Sequence, residues 1–466
     1  MSDKEKKLES GGKEITRRQA LKYMGAGVVG LGLAGSLLSS CAKRQQKISP
    51  EELTTATLEE DTVAAMSYRT DNVYGEKISL LGFGTMRYPT VNGKIDEEKS
   101  QELVDYAYQH GVNYFDTAYL YHNGDSELFT GKALKKYPRE SFYLATKMPT
   151  WLVTDLASAK HLFEDQLRKC QVEYFDYYLL HSLRQISEYK KCYVDNGALE
   201  YLKAEKAAGR IKRLGFSFHG DLEGFEYLLN CGEQWDFVQI QMNYLDWYGP
   251  LQSDRLYAML EEKGIQCIIM EPLRGGRLAK VNPVAADLLK KARPGDTPAE
   301  WAFRFVASYP NVLTILSGMT EMQYLQENIN TLSENFKPLD EKEHKVVEAV
   351  ANAINSYNLV PCTECDYCDP CPYGVDISGV FRHYNRCVNE GIIPDKMSQS
   401  QSEFRRKRRE YLISYDKEVA KEAQANHCIG CGSCMQVCPQ RFDIVANLRR
   451  IDKFVDSLKF HNTQNV

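Results

Sequence analysis

The sequence predicts an α/β protein in which a parallel (β/α)8 barrel of the TIM type is followed by a smaller, mainly helical domain. Two observations lead there. Between residues 78 and 330, eight short apolar runs alternate with helix-length segments, the alternation expected of strand-helix units that close into a barrel. Beyond residue 360, eight of the fourteen cysteines fall into two short runs, so that part of the chain has chemistry of its own. At 466 residues and 43% hydrophobic content, the chain is long enough for two folded parts with appendages.

The N-terminus reads as a signal rather than as fold. Residues 1–15 are polar, and Thr16-Arg17-Arg18-Gln19-Ala20-Leu21-Lys22 precedes an apolar, glycine-rich run from Met24 to Leu38. That run is too short for a good membrane span, and it sits behind a positive segment as export signals do. The paired arginines resemble a twin-arginine signal, with Ala20 standing where a phenylalanine is usual. Leu38-Ser39-Ser40-Cys41 is similar to a lipoprotein cleavage site. Residues 1–40 are therefore expected to be a signal peptide and 41–67 a polar linker. The mature protein is expected in the periplasm or cell envelope, anchored by a lipid on Cys41. The first 40 residues hold seven Lys/Arg against four Asp/Glu, so their loss makes a chain of net charge -5 more acidic. No basic footprint for nucleic acid remains.

The barrel is expected over 68–333. Its strand-like runs are ISLLGFGT from Ile78, VNYFDTA from Val112, SFYLATK from Ser141, YFDYYLLH from Tyr174, IKRLGFSFH from Ile211, FVQIQMNY from Phe237, IQCIIMEPL from Ile265 and VLTILSGM from Val312. Between them, Leu103, Tyr106, Ala107 and His110 show helical spacing, and Thr297-Pro298-Ala299-Glu300 reads as a capping box. A long basic loop is expected from Leu273 to Thr297. Its Arg274-Gly275-Gly276-Arg277 segment is either solvated or placed to cover a pyrophosphate. Residues 334–359 are expected to be a helical connector.

Active sites of such barrels lie at the C-terminal ends of the strands, and polar residues stand there: Asp116, Lys147, His181, Ser217, Gln239 and Asn243. With Tyr121, and with the motif Asn113-Tyr114-Phe115-Asp116-Thr117-Ala118-Tyr119-Leu120-Tyr121, residues 78–330 resemble the aldo-keto reductase family. The resemblance implies a carbonyl or alcohol substrate and a catalytic set of Asp116, Tyr121, Lys147 and His181. It also implies NAD(P), with Ser217 and Gln239 on the nicotinamide carboxamide, Met270 beside the ring, and Arg274, Gly275 and Gly318 along the rest of the nucleotide. Three positions depart from the family pattern. Phe218 replaces a carboxamide-binding asparagine, Met270 replaces a stacking tyrosine, and the stretch after Ser317-Gly318 lacks the basic residues that grip a 2'-phosphate. Hydride addition to a carbonyl leaves an alkoxide that needs a proton. Tyr121 is the expected donor, its pKa lowered by Lys147, while His181 orients the carbonyl oxygen.

The cysteine runs are Cys362, Cys365, Cys368 and Cys371 in CTECDYCDPCP, and Cys428, Cys431, Cys434 and Cys438 in CIGCGSCMQVCP. The second matches the C-x2-C-x2-C-x3-C-P spacing of bacterial iron-sulfur proteins, in which the fourth cysteine of each run serves the other cluster. Two [4Fe-4S] clusters in a ferredoxin-like domain over 360–466 are expected, with Cys438 joining the upstream trio and Cys371 the downstream one. The upstream run has one residue fewer before its last cysteine. The other cysteines in the folded parts, Cys170, Cys192, Cys231, Cys267 and Cys387, read as small core residues. Arg405-Arg406-Lys407-Arg408-Arg409 reads as a solvated helix face or as a docking surface for an acidic redox partner or the membrane.

Together these readings describe an exported oxidoreductase whose clusters relay electrons to or from the barrel, with a flavin as a further two-electron carrier. The alternative is an electron carrier or redox sensor whose barrel binds a nucleotide without turnover.

Overall fold

Eight parallel strands pair in sequence order and close on themselves, the last (Val312–Ser317) against the first (Leu81–Gly84). The other six are Tyr114–Asp116, Tyr143–Pro149, Phe175–Leu183, Ile211–Phe218, Phe237–Gln241 and Gln266–Met270. Each coincides with one of the eight runs read from the sequence. The computed structural model describes residues 64–459; Arg17, Arg18 and Cys41 lie outside the described residues. Among the described residues no helix is long and apolar enough to cross a membrane.

The strands alternate between two apolar environments, as a barrel dictates. Inside, Ile78, Tyr114, Ala145, Tyr177, Leu179, Phe237, Ile268, Leu313 and Leu316 form one cluster. Outside, the opposite faces pack against the surrounding helices in a larger one that includes Phe115, Leu144, Tyr178, Phe216, Ile240, Trp301 and Phe305. Fully burying one such side chain contributes about 1.5–3 kcal/mol. The N-terminal end of the barrel is closed by a hairpin of Tyr68–Thr70 with Lys77–Ser79. Beneath it Arg213, 1% exposed, pairs with Asp71 at 2.6 Å and with Glu76, a buried cation that only a paired carboxylate makes tolerable.

Local sequence accounts for the helix boundaries. Asp96 caps Glu97–Gln109, whose buried residues are Ser100, Leu103, Val104 and Ala107. The Thr297 and Glu300 capping box opens Pro298–Ala307. The expected loop from Leu273 to Thr297 is not all loop. Asn282 caps a helix, Pro283–Ala292, with proline at its first turn, a start signal of known form. The connector is also more than a tether. Its helix Glu341–Asn355 lies on Pro283–Ala292, joined by an Arg293–Glu343 ion pair and by Asn282 Nδ2 donating to Ala353 O at 3.3 Å. At the other end, the linker reading stops short of 67. Met66 is buried and bridges Ser333, and Ser67 Oγ donates to Ser333 O at 2.6 Å.

The second domain packs helices Ile377–Asn389, Gln401–Glu418 and Ile444–Lys459 around Val380, Phe381, Tyr411, Tyr415, Leu448, Ile451 and Val455. The basic run lies on Gln401–Glu418, a helix whose buried residues are Tyr411 and Tyr415. This domain stands on the C-terminal mouth of the barrel, as the contacts below establish.

Candidate active site and cluster cradle

The second strand ends at Asp116 and the third carries Lys147, and their side chains meet inside the mouth. Lys147 Nζ lies 2.5 Å from Asp116 Oδ1 and donates to Thr117 O at 2.7 Å. Burial works against both charges, raising the Asp116 carboxyl and lowering the Lys147 ammonium, and mutual attraction opposes it. The lysine is fixed from behind: Gln166 Nε2 donates to Lys147 O at 3.0 Å and to the buried Glu127 carboxylate at 2.7 Å.

Tyr121 follows the second strand, its ring centre 5.0 Å from Lys147 Nζ and edge-on to His181 at 6.3 Å between centroids. Its pKa is pushed well above the ordinary value, first by burial and then by Tyr367 and Asp116. The expectation that Lys147 lowers it is therefore not met, because the lysine's charge is spent on Asp116. Tyr121 is a phenol that holds its proton, which is the state a proton donor needs. Burial, with Lys147, His219 and Arg184 adding to it, lowers the His181 pKa far below the ordinary value. The imidazole is neutral, and its Nδ1 has no partner among the described residues. Trp151, 44% exposed, stands 5.1 Å from the His181 ring and forms a wall that nothing in its sequence context marked.

The residues assigned to a nucleotide divide into two groups. Ser217, Gln239 and Met270 are together in the mouth: Ser217 Oγ accepts from Ser182 N at 2.7 Å, and Gln239 Nε2 approaches Met270 Sδ at 3.6 Å. Gln239 Oε1 is buried without a partner among the described residues. Arg274, Gly275 and Gly318 instead face protein. Arg274 pairs with Asp246 at 3.2 Å. Gly275, at φ +66°, lies so close under Thr363 that a Cβ there would stand 2.1 Å from its carbonyl oxygen. A Cβ on Gly318 would meet the Arg87 side chain at 2.9 Å. Asn243 is a helix cap, accepting from Leu245 N and Asp246 N.

What covers these positions is the first cysteine loop. Arg87 Nη2 donates to Thr363 O at 2.8 Å and to Glu364 O at 3.2 Å. The Tyr367 hydroxyl lies beside that of Tyr121 and helps to raise its pKa. Arg184, past the fourth strand, donates to Val437 O at 2.8 Å and to Gln436 O. Gln241 and Gln440 exchange hydrogen bonds of 3.1 and 3.0 Å through their buried amides.

The two cysteine runs lie against each other. Cys368, Cys371, Cys428, Cys431 and Cys434 line a cavity of about 190 Å³. Cys438 is electrostatically coupled to Cys362, Cys365 and Cys368. Cys371 thus lies near the downstream trio and Cys438 near the upstream one, the neighbours that crossed ligation would use. Turns with positive φ at Glu364, Asp366, Gly430 and Gly432 bend both loops around their cysteines. Burial pushes the Cys365 thiol up to about 11 and Cys362 to about 12; cations bound to the sulfurs would reverse that preference. The thiols of the two runs fit iron-sulfur clusters as ligands. Cys170, Cys192, Cys267 and Cys387 are buried core residues and Cys231 is partly exposed.

Residues 80–352 match the aldo/keto reductase family and residues 361–443 match the 4Fe-4S dicluster domain. The chain belongs to the aldo/keto reductase family. It is 26% identical to the NADH-specific methylglyoxal reductase of Escherichia coli (strain K12), covering 56% of this chain and 92% of that protein. It is also 26% identical to the L-galactose dehydrogenase of Arabidopsis thaliana, covering 60% and 93%. An aldo-keto reductase structure from Bacillus halodurans, in its holo form, superposes with a TM-score of 0.52 at 25% identity, covering 61% of this chain and 96% of that one. The protein is thus an aldo/keto reductase-family oxidoreductase with an iron-sulfur domain, its substrates small carbonyls or alcohols.

Proposed function

We propose that this oxidoreductase interconverts a small carbonyl and its alcohol at Asp116, Tyr121, Lys147 and His181, with its reducing equivalents held in its own iron-sulfur domain. The observation that carries the reading is Tyr367. It stands between Cys365 and Cys368 and touches the Tyr121 hydroxyl, so the cluster-binding loop reaches the catalytic proton donor directly. When bound, two [4Fe-4S] clusters would supply two electrons one at a time, and a two-electron carrier of the flavin class would combine them with a solvent proton into the hydride that the carbonyl carbon receives.

The chain's own residues do the rest. Neutral His181 offers a ring N–H to the carbonyl oxygen and orients it. Tyr121 delivers the proton that the developing alkoxide requires. Lys147, held by Asp116 with its Nζ 5.0 Å from the Tyr121 ring centre, fixes the position of the proton donor. Trp151 and Tyr367 narrow the mouth against water.

The test is stopped-flow mixing of a reactive carbonyl such as methylglyoxal with the dithionite-reduced, anaerobically purified protein, without nucleotide. Bleaching of the reduced-cluster signal with formation of alcohol is expected. Clusters that stay reduced while added NAD(P)H alone drives turnover would overturn the reading. Small molecules released from the same preparation and identified by mass spectrometry would show whether a flavin travels with it.

We further propose that the protein is exported by the twin-arginine route and tethered through Cys41. The support is the Arg17-Arg18 pair, the short apolar run and the cysteine at its end. Fractionation tests both parts. Export that survives Arg17→Lys with Arg18→Lys removes the route, and a Cys41→Ala chain that still labels with radioactive fatty acid removes the anchor.

A further inference from the structure

The family resemblance places a dinucleotide along the strand ends from Ser217 round to Gly318, and the structure shows what stands there. Only the nicotinamide end of that track, Ser217, Gln239 and Met270, faces the mouth, and there Gln239 Oε1 lacks a partner among the described residues. Along the remainder the wall is built from the Cys362–Cys371 loop. Thr363 O rests on the Cα of Gly275, an approach that admits no side chain. Arg87 fills the space beside Gly318 and continues across to grip Thr363 O and Glu364 O. Arg274, which would meet a pyrophosphate, is turned to Asp246. These contacts do not stand alone: Arg184 with Val437, Gln241 with Gln440 and Tyr121 with Tyr367 tie both cysteine runs to the same rim.

We infer that this barrel excludes NAD(P) from the family's binding track, because the first cysteine loop is built into the phosphate-binding half of the mouth as a fixed wall. A dinucleotide would have to displace Thr363 and Glu364, breaking the Arg87 hydrogen bonds and unseating a loop that carries four cluster ligands. The contact is backbone against backbone at Gly275, so no change of side-chain rotamer relieves it. The inference rests on the barrel mouth being the catalytic site, but its test does not depend on turnover.

NADPH and NADH are titrated by equilibrium dialysis against the anaerobically purified full chain, with iron content and circular dichroism confirming that the sample is folded and loaded. An aldo-keto reductase without a cluster domain serves as the reference. The expected affinity is at least about 100-fold weaker than that reference, with amide hydrogen exchange over residues 362–368 unchanged by nucleotide. One nucleotide bound per chain within that range overturns the inference, whether the loop stays protected or its exchange rises. Failure of the carbonyl-driven oxidation described above would remove the proposed reaction and leave this exclusion standing.

Discussion

The two sides of the barrel mouth have met different fates. Along strands two to four, Asp116, Tyr121, Lys147 and His181 stand together around an opening, Lys147 held by Asp116 and Thr117 and Tyr121 set beside Tyr367. Along strands seven and eight, Arg274, Gly275 and Gly318 are occupied by Asp246, Thr363 and Arg87. In one mouth, the strand ends proposed for proton transfer stand open while those opposite are covered by the cluster domain. The lesson is that a barrel's loops can be reassigned without disturbing the strand ends beside them, because each strand end is supported by its own helix and neighbours.

Four substitutions break or sharpen that contrast, in descending order of effect. Lys147→Met leaves Asp116 buried without its counter-charge, and removing one member of a buried pair costs about 3–5 kcal/mol. Denaturant unfolding should show that loss in the barrel, with carbonyl turnover gone as well. Tyr121→Phe removes the proton donor and should lower kcat by about 10²–10⁴ while cluster absorbance and unfolding midpoint stay close to wild type. An equal loss of cluster signal would mean that Tyr121 supports the seam rather than the chemistry. On the other side of the mouth, Gln440→Leu leaves the Gln241 amide buried and unpaired, at a cost of about 1–3 kcal/mol. Amide exchange should rise around Cys438 and leave the strands bearing Asp116 and Lys147 unaffected.

The smallest effect vanishes at neutral pH. His383 lies fully buried in the cluster domain against Tyr411 and Tyr415, with Ser414 Oγ 2.8 Å from its Nε2. Burial, with Arg386 adding to it, lowers its pKa from 6.5 to about 4. A depressed folded-state pKa means that the unfolded chain takes up the proton first. The stabilising contribution is therefore complete above pH 6.5 and is lost as pH falls from 6.5 to about 4. His383→Gln should flatten the pH dependence of cluster-domain unfolding in that window. A slope identical to wild type would mean that another group governs it.

Much of this was legible in the residues alone. The eight strands could be read because apolar runs bounded by turn residues are local signals. Asp116, Tyr121, Lys147 and His181 could be named because that stretch resembles the aldo-keto reductase family, and the barrel brings them to one mouth. The iron-sulfur domain could be read because its cysteines stand at the spacing of known cluster runs. Other features escaped for specific reasons. Trp151, Arg184 and Tyr367 are ordinary residues in ordinary contexts, and the partners of the last two lie more than 240 residues away in the chain. The Tyr121 pKa went the other way because burial outweighed a cation already neutralised by Asp116. The helix Pro283–Ala292 did announce itself through Asn282-Pro283, but the glycines and arginines just before it suggested a loop.

By itself, then, the sequence determined what depends on neighbours in the chain: strand period, helix caps, the C-x2-C spacing that lets three thiols wrap one cluster, and the residue types at each strand end. Only the tertiary structure decided which surface the cluster domain would cover. That choice lies in the fit of Thr363 on Gly275, of Arg87 across two carbonyls and of Gln241 on Gln440. Such contacts depend on the shape and polarity of two finished surfaces, and no local propensity or spacing encodes a pairing between residues that far apart.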